Sequence, residues 1–337
     1  MPVTARAPRF EGGGVISFQD HTYPDPGPGQ LLIAVEANAI CGTDREQYFE
    51  GSKCIPGHEA AGTVVQGGGE TTVPAGTRGA VFLMDYCGQC RHCLIGYTNQ
   101  CAAKRNDMGF TADGGYGPFE VVSESNFFPV PQDIDGAEAT LLLDVMGTSG
   151  HALGRITRMR DDIESLYCSG AGPIGLGVLA MAKVRFGADF PVYISDMSRW
   201  RLDFAASLGG IPIDVSRVGE LEALKDIDAA IDSTGKSQAR RSIIDLLGQR
   251  GVLACVGHGE GLSLTVSPDL IATERTVMGS EYFRFEEMAT NLELLQSNRE
   301  YFNKIITHRV SRGEISEGFE LFLSGETGKV IVMGDDL

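Results

Sequence analysis

The feature that most constrains the fold is a glycine-rich turn near the middle of the chain, with the pattern Gly-x-Gly-x-x-Gly. An apolar run at 165–169 precedes the turn and predicts a strand, and a longer apolar run at 173–186 follows it and predicts a helix. In this order the first glycine permits a tight turn, the second lets the backbone approach a pyrophosphate, and the third lets helix and strand pack closely. The helix N-terminus then offers free N–H groups to the phosphates. The sequence therefore predicts a dinucleotide-binding turn made by Gly170, Gly172, Pro173, Ile174 and Gly175.

The acid that ends the next predicted strand indicates which dinucleotide is bound. Asp196 lies 21 residues after Gly175, where a carboxylate accepts both ribose hydroxyls of NAD and repels the 2′-phosphate of NADP. NAD is therefore favoured, and Arg199 and Arg201 keep NADP as the alternative. We count Arg201 among the cofactor contacts, although a solvated helix face is the other interpretation of both arginines. Lys329, near the C-terminus, is a weaker candidate for the pyrophosphate.

The pattern of predicted secondary structure changes at about residue 145. Before it, short β-like runs such as 30–37, 60–65 and 119–122 are separated by clusters of proline and glycine, which predicts an all-β, barrel-like unit. After it, predicted strands alternate with predicted helices, a pattern typical of a parallel sheet with right-handed crossovers. With 337 residues, and about 150 residues per domain, two domains are expected.

Four of the eight cysteines fall within fifteen residues, at Cys87, Cys90, Cys93 and Cys101. Two Cys-x-x-Cys steps this close together indicate a zinc site in a reducing compartment rather than a disulfide scaffold. Four thiolates complete a tetrahedral zinc, so we expect this site to order a loop and to carry no chemistry. A zinc module for nucleic acid is the alternative. The net charge of −17 argues against it, because such a surface repels phosphate backbones.

A second, open metal site is predicted upstream of these cysteines. Cys41 and His58 supply one thiolate and one imidazole. A catalytic zinc needs three protein ligands and one open position. The sequence therefore requires a third ligand from elsewhere in the chain.

Taken in order, the motifs Cys41-Gly-Thr-Asp and Gly57-His-Glu, the four cysteines, and the glycine-rich turn with its acid resemble the medium-chain zinc-dependent alcohol and polyol dehydrogenases. The branch that includes the sorbitol, threonine and glucose dehydrogenases is the most similar. The resemblance implies an α/β two-domain fold, with a GroES-like β-barrel catalytic domain and a Rossmann domain with a doubly wound parallel sheet. It assigns residues 1–146 and 281–337 to the catalytic domain, 87–101 to its zinc lobe, and 147–280 to the NAD-binding domain.

The resemblance also implies roles around the open metal site. Cys41 and His58 would bind the catalytic zinc, and Asp44 would orient His58 from behind. Thr43 would take the proton from the substrate hydroxyl. Glu59 would lie beside the zinc as an outer or exchanging ligand.

Two departures from the family pattern affect this site. Glu46 stands where the family often has a histidine that relays protons to solvent, so it either relays protons, contacts substrate or is simply solvated. The polyol and sugar branches take their third zinc ligand from a glutamate shortly before a His-Ala pair. Asp144 occupies that place, seven residues before His151. Because aspartate is one methylene shorter, the alternative is that Asp144 caps the following helix.

The implied function is a zinc-dependent oxidoreductase that transfers hydride from a polyol, sugar or secondary alcohol to NAD+, with zinc stabilising the alkoxide. Two zinc ions per chain and NAD are the expected cofactors. One alternative is a dehydrogenase of a cyclitol or aminocyclitol in specialised metabolism. The other is a non-catalytic NAD-binding protein of the same fold.

Composition narrows the partners to a small-molecule substrate. The negative charge disfavours nucleic acid and membrane surfaces, and no apolar run reaches the roughly 18 residues that a membrane span requires. The N-terminus has no apolar segment typical of a secretory signal, so a cytoplasmic protein is expected. The resemblance implies a homodimer or homotetramer.

Overall fold

Proline and glycine interrupt the first 140 residues often, so this part of the chain forms short elements. The structure, a computed structural model, describes residues 1–334. The strands here are β1 (Val3–Gly12), β2 (Val15–Tyr23), β3 (Gln30–Ala39), β4 (Ala60–Gly67), β5 (Arg78–Val81), β6 (Met84–Asp85), β7 (Asn106–Asp107), β8 (Phe119–Ser123) and β9 (Phe127–Pro129). The helices are α1 (Asp44–Glu50), α2 (Arg91–Leu94) and α3 (Gly136–Thr140).

After a one-turn π-helix at Asp144–Thr148, strands and helices alternate. The strands are β10 (Leu166–Ser169), β11 (Val192–Asp196), β12 (Ile211–Asp214), β13 (Ile227–Asp232), β14 (Leu247–Cys255) and β15 (Thr276–Gly279). The helices are α4 (Ser149–Met159), α5 (Pro173–Phe186), α6 (Arg199–Ser207), α7 (Ser237–Leu246), α8 (Val266–Asp269) and α9 (Glu287–Ser297). The chain then forms α10 (Arg299–Asn303), β16 (Ile306–Ser311), α11 (Ile315–Ser324) and β17 (Lys329–Met333).

The second half of the chain builds a parallel sheet in the order β12-β11-β10-β13-β14-β15. The order reverses between β10 and β13, and doubly wound sheets bind their ligands at the carboxyl edge beside such a reversal. The glycine-rich turn follows β10 directly, and α5 begins at the predicted residue, Pro173. The Rossmann-like parallel sheet expected from the sequence is therefore confirmed.

A mixed sheet carries the metal ligands of the N-terminal part, in the order β16-β17-β3-β4-β5-β9, with β8 paired to β3. The C-terminal strand β17 pairs antiparallel with β3, so that Ile331 faces Ala39. Strand β17 thus joins the sheet that β3 and β4 of the N-terminal part form. This pairing brings Lys329, at the start of β17, near the end of β3.

The link between the two sheets is buried and tightly packed. All five residues of the π-helix are buried. A Cβ added to Gly177 of α5 would lie 2.2 Å from the carbonyl oxygen of Val145, and one added to Gly147 would lie 2.5 Å from the ring of Phe283. These glycines let α5 and the segment after β15 press against the π-helix, which places Asp144 at the junction.

None of the helices within residues 1–334 has both the length and the apolar composition required to cross a bilayer.

Candidate active site

Four buried side chains converge where β3 ends, β4 begins and the π-helix starts. Cys41, His58, Glu59 and Asp144 each offer one donor atom, and these atoms lie within 4.8 Å of one another. Cys41 and Asp144 are 103 residues apart in sequence, and their side chains meet where the second residue after β3 approaches the first residue of the π-helix. The fold therefore brings the three predicted ligands of the open site into one cluster.

The spacing of these atoms fits a tetrahedral zinc. Asp144 Oδ2 lies 3.3 Å from Cys41 Sγ and 3.7 Å from His58 Nε2. Zinc bonds of about 2.0–2.3 Å at tetrahedral angles require ligand-to-ligand distances of roughly 3.3–3.8 Å. Asp144 does not cap α4, whose N-cap is Thr148, so the alternative interpretation of this residue is wrong.

The charges in the cluster also suit a cation. Burial raises the pKa of Asp144, but the hydrogen bond and charge of His58 outweigh it and hold this pKa at about 2. Burial and the charge of Asp144 raise the pKa of the Cys41 thiol. A cation among these groups would favour the thiolate, because metal binding replaces the thiol proton.

Asp44 supports the cluster from behind, as the sequence predicts. Its Oδ2 accepts hydrogen bonds from the backbone N–H of Cys41 at 2.9 Å and from the hydroxyl of Tyr116 at 2.6 Å. Its Oδ1 lies 3.3 Å from His58 Nδ1, so Nε2 of the same ring faces Asp144. Such a carboxylate behind a metal-binding histidine sets the orientation and tautomer of the ring.

Glu59 forms a fully buried ion pair with Lys329 of β17. Burial lowers the pKa of Lys329, but the facing carboxylate raises it above its ordinary value. Within residues 1–334, the second oxygen of Glu59 has no hydrogen-bond partner and is buried beside the metal ligands. Lys329 thus contacts Glu59, rather than standing free to reach a pyrophosphate as the sequence suggested.

Thr43, the expected proton acceptor, and Glu46, for which the sequence leaves proton relay, substrate contact and solvation open, both lie at the start of α1. Thr43 is exposed directly before α1, and Glu46 is exposed in the first turn of that helix.

Tyr282, which follows β15, has a positive φ of 45°, a conformation that L residues rarely adopt. Burial raises the pKa of its hydroxyl. The charge of His58 opposes this rise, and the charge of Asp144 adds to it.

The four-cysteine segment has the geometry of a structural zinc site. Cys90 Sγ lies 3.5 Å from Cys93 Sγ and 4.0 Å from Cys101 Sγ, and Cys87 Sγ lies 4.0 Å from Cys93 Sγ. Zinc–sulfur bonds of about 2.3 Å give tetrahedral edges of roughly 3.8 Å. The N–H groups of Cys93 and Ala102 lower the pKa of Cys90 to about 6, which favours the thiolate that zinc binds.

This lobe also holds the segment that follows β15. Asn99 Nδ2 donates to the carbonyl oxygen of Glu281 at 2.8 Å, and the N–H of Phe285 donates to Thr98 Oγ1 at 2.8 Å. These bonds flank Tyr282, so the metal lobe helps to position a residue near the other metal cluster.

The glycine-rich turn has the predicted geometry. Gly170 has a φ of +90°, which favours glycine, and a Cβ on Gly175 would lie 1.8 Å from the carbonyl oxygen of Gly170. Gly172 is the N-cap of α5, with no atom closer to an added Cβ than Arg201 at 3.9 Å. Pro173 and Ile174, the first residues of α5, are partly buried.

Asp196 is anchored next to this turn. It accepts hydrogen bonds from the N–H groups of Ala171 at 2.9 Å, Met197 at 2.8 Å and Ser198 at 2.9 Å. Arg201 reaches to 3.7 Å from Asp196 and is mostly buried, so the solvated-face interpretation fails for this arginine. Both side chains border the turn that the sequence assigns to the cofactor.

Sequence reasoning missed Tyr116. It is fully buried and stacks on Phe10, with ring centroids 5.7 Å apart. Its hydroxyl contacts Asp44 across 72 residues of sequence. No motif marks this tyrosine, since it lies in a glycine-rich loop and acquires its partner only when the loop forms backbone hydrogen bonds with residues 55–57.

Comparison with known proteins agrees with this architecture. Residues 27–132 match the alcohol dehydrogenase GroES-like domain, and residues 173–297 match the zinc-binding dehydrogenase family. Among solved structures, alcohol dehydrogenase TADH from Thermus sp. ATN1 superposes with a TM-score of 0.90 at 23% identity, over 98% of this chain and 100% of that one. 2R,3R-butanediol dehydrogenase from Bacillus subtilis gives a TM-score of 0.84 at 23% identity, over 98% and 99%. These likenesses confirm the two-part fold.

A curated relative extends the likeness to sequence. L-threonine 3-dehydrogenase from Rhizobium etli (strain CIAT 652) is 30% identical over 335 residues, a match that covers 94% of each chain. With the two domain matches and the two metal clusters, this likeness confirms a dehydrogenase that acts on CH–OH groups. The chain belongs to the medium-chain zinc-dependent dehydrogenase family.

Proposed function

We propose that this protein oxidises a secondary alcohol with NAD+, at a zinc held by Cys41, His58 and Asp144. The observation that carries the proposal is the spacing of these three donor atoms, which suits a tetrahedral metal. Three ligands leave a fourth position for a substrate oxygen, as in catalytic zinc sites. The complete donor set gives no support to a non-catalytic protein of the same fold.

The chain's own residues divide the work around that position. Zinc in this site would act as a Lewis acid that acidifies the substrate hydroxyl, and NAD+ would accept the hydride. Asp44 holds the His58 ring so that Nε2 faces the cluster. Thr43, exposed two residues after Cys41, would carry the hydroxyl proton toward solvent. Glu46, three residues farther along and exposed in the first turn of α1, would be the next acceptor.

We propose that Glu59 is an outer ligand of the zinc and that its ion pair with Lys329 keeps it close to the cluster. Its second oxygen is buried in the same cluster without a partner among residues 1–334, so Glu59 would be available as a further ligand to a bound zinc. The ion pair keeps its other oxygen engaged. This arrangement would keep the metal coordinated while substrate and product exchange.

Asp196 supports NAD rather than NADP. Three backbone N–H groups hold its carboxylate beside the glycine-rich turn, where a ribose would bind. A 2′-phosphate there would meet this carboxylate at close range. Arg201, 3.7 Å away, would contact the adenosine ribose or the pyrophosphate.

The relatives indicate the substrate class. L-threonine and 2R,3R-butanediol, named in two of them, both carry a secondary CH–OH next to a carbon with a polar substituent. We therefore propose a substrate of that form, such as a polyol, sugar or β-hydroxy amino acid.

We also propose the domain bounds and the oligomeric state. The catalytic domain would comprise residues 1–146 and 281–337, the NAD-binding domain residues 147–280, and the protein would be a homodimer or homotetramer. In the sheet formed by residues 1–334, β15 is an edge strand, and such an edge would allow pairing between chains.

The first test is NADH formation at 340 nm with zinc-loaded protein, NAD+ or NADP+, and a panel of L-threonine, 2,3-butanediol, sorbitol, aldoses and cyclitols. We expect oxidation of at least one member with NAD+, and loss of the signal when a chelator removes zinc. Full activity in Cys41→Ser or His58→Ala protein would overturn the mechanism.

Asp144→Asn tests the third ligand directly. The amide still accepts from Thr148 but loses the negative charge, so we expect metal analysis to find about one zinc per chain in place of about two. Activity should fall by about 100-fold or more. Asp161→Asn, an exposed site, is the matched control. Two retained zinc ions in Asp144→Asn would exclude this aspartate as an essential ligand.

A further inference from the structure

A second polar cleft lies outside the metal cluster and the glycine-rich turn. Its volume is about 390 Å³, room for on the order of ten water molecules. It opens between the four-cysteine lobe, helix α4 and the carboxyl ends of β14 and β15. Asn99 and Gln100 of the lobe, Arg155 of α4, His258 after β14, and Ser280 and Glu281 after β15 contribute to its walls.

Three buried polar atoms in this cleft lack partners. Arg155 Nε, Asn99 Oδ1 and Ser280 Oγ have no hydrogen-bond partner within the described chain, residues 1–334. Asn99 is 3% exposed and Ser280 is 7% exposed, so bulk water has little access to these side chains. Buried polar groups in folded proteins are normally paired, and a group without a partner indicates a missing ligand or water.

Arg155 stands out because it lacks a carboxylate in a strongly acidic chain. The protein has 45 acidic and 28 basic residues, yet no ion pair within residues 1–334 involves this guanidinium. Its neighbours along the chain are satisfied: Arg158 donates to the Tyr97 hydroxyl, and Arg160 pairs with Asp162 and Asp228. A partly buried arginine without a counter-ion is well suited to bind an anion from outside.

We propose that this cleft binds the carboxylate, phosphate or sulfate group of a small anionic molecule. The guanidinium of Arg155 donates to the oxyanion, and Ser280 Oγ donates a further hydrogen bond. Asn99 Oδ1 accepts from a hydroxyl or amino group next to the oxyanion, because its own amide nitrogen is already engaged with Glu281. The ligand class is therefore a small hydroxy or amino acid, or a phosphorylated equivalent.

The oxyanion has two potential sources. Ser280 begins the short segment that leads to Phe283, whose ring packs on Gly147 of the π-helix that carries Asp144. This packing lets the oxyanion belong to the alcohol substrate itself. That source rests on the proposed function. The other source is a free anion that binds apart from the substrate. Both present the same group to Arg155.

Calorimetry with sulfate as the probe tests the site. The zinc-loaded protein is saturated with NAD+, so that the pyrophosphate turn is occupied, and chloride keeps the ionic strength constant. We expect saturable binding that weakens about tenfold or more in Arg155→Gln. Arg158→Gln, one turn along the same helix and exposed, should bind as the unmodified protein does. Equal affinity in Arg155→Gln, or no saturable binding to the unmodified protein, would overturn the proposal.

Inhibition kinetics separate the two sources. Sulfate inhibition that is competitive with the alcohol and lost in Arg155→Gln assigns the oxyanion to the substrate. Non-competitive inhibition, or none, overturns that source and assigns a separate free anion. Calorimetry needs no turnover, so an inactive protein would refute the proposed function without affecting the result for the cleft.

Discussion

At the scale of single residues, Asp44 is the group that connects the metal ligands to the rest of the barrel. One carboxylate contacts the backbone of Cys41, the ring of His58 and the hydroxyl of Tyr116. Tyr116 is in turn fixed by rings, since it stacks on Phe10 and meets Phe319 edge-on with centroids 5.8 Å apart. The orientation of His58 therefore depends on a tyrosine that never touches the metal.

We expect Tyr116→Phe to lower kcat/KM by about 3- to 10-fold. Changes to direct supports of metal-binding histidines commonly cost about 10–100-fold, and Tyr116 is one hydrogen bond more distant. The ring keeps its packing, so the free energy of unfolding should fall by only about 1 kcal/mol. Chelator should also remove the catalytic zinc faster, which zinc release into a colorimetric chelator measures.

Tyr23→Phe is the matched control. Tyr23 is equally buried in the same aromatic cluster, but its hydroxyl has no partner among residues 1–334. We expect its kcat/KM and rate of zinc loss to be unchanged. Equal losses in the two variants would show that Tyr116 acts through packing alone.

At the scale of elements, the π-helix and the turn after β10 place the chemistry. The π-helix is wedged against α5 because Gly177 leaves space for its backbone. Asp144 is thereby held within reach of Cys41 despite its short side chain. In the turn, Gly175 provides close packing, whereas a Cβ on Gly172 would meet only Arg201, at 3.9 Å. Gly175 is therefore required for folding, whereas Gly172 leaves room for the cofactor.

Substituting these two glycines should have different effects. A Cβ at position 175 collides with the carbonyl oxygen of Gly170, so Gly175→Ala should destabilise the protein by about 1–3 kcal/mol. Gly172→Ala should cost about 1 kcal/mol or less but should raise KM for NAD+ several-fold, because its methyl group occupies the approach of the pyrophosphate. Thermal unfolding and NAD+ kinetics test both. A lower Tm in Gly172→Ala than in Gly175→Ala would contradict this division.

At the scale of the whole molecule, a buried carboxyl group lowers the free energy of unfolding as the pH rises. Glu120 on β8 is fully buried, and neither of its oxygens has a hydrogen-bond partner in the described part of the chain. Burial, together with the charge of Asp113, raises its pKa well above the usual value. The folded protein therefore keeps a proton that the unfolded chain releases once the pH exceeds the ordinary glutamate pKa.

This proton makes stability fall as pH rises. Above the unfolded pKa the unfolded state binds fewer protons than the native state, so the free energy of unfolding declines by up to about 1.4 kcal/mol per pH unit until the native pKa is reached. Glu120→Gln removes this dependence. We expect its stability relative to the unmodified protein to be higher at pH 8 than at pH 5, as measured by urea unfolding at both values.

Glu124→Gln provides a control of opposite sign. Burial raises the pKa of Glu124, but bonds from the N–H groups of Thr72 and Val73 together outweigh it and lower this pKa overall. Its ionised form stabilises the fold above the unfolded pKa, so the variant should lose stability at pH 8 and lose less as the pH falls toward 4. Parallel pH dependences in the two variants would refute the assignment to Glu120.

Much of this protein is determined by local sequence. Apolar periodicity predicts the bounds of α5 as the structure has them. Motif spacing predicts the four-cysteine site, the glycine-rich turn and the pair Cys41 and His58, because each depends on residues close together in the chain. Asp144 could be proposed as a ligand only through family resemblance, since nothing around it in sequence distinguishes a ligand from a helix cap.

The contacts that complete the site were decided only by the tertiary structure. Tyr116 meets Asp44 across 72 residues, Asp144 meets Cys41 across 103, and Lys329 meets Glu59 across 270. The cleft at Arg155 likewise joins a metal lobe, a helix and two strand ends. Local patterns report which face of an element is apolar and where the backbone must turn. They carry no information about which distant side chains will be buried together. The hydrogen bonds, charges and pKa values of a site depend on those buried neighbours.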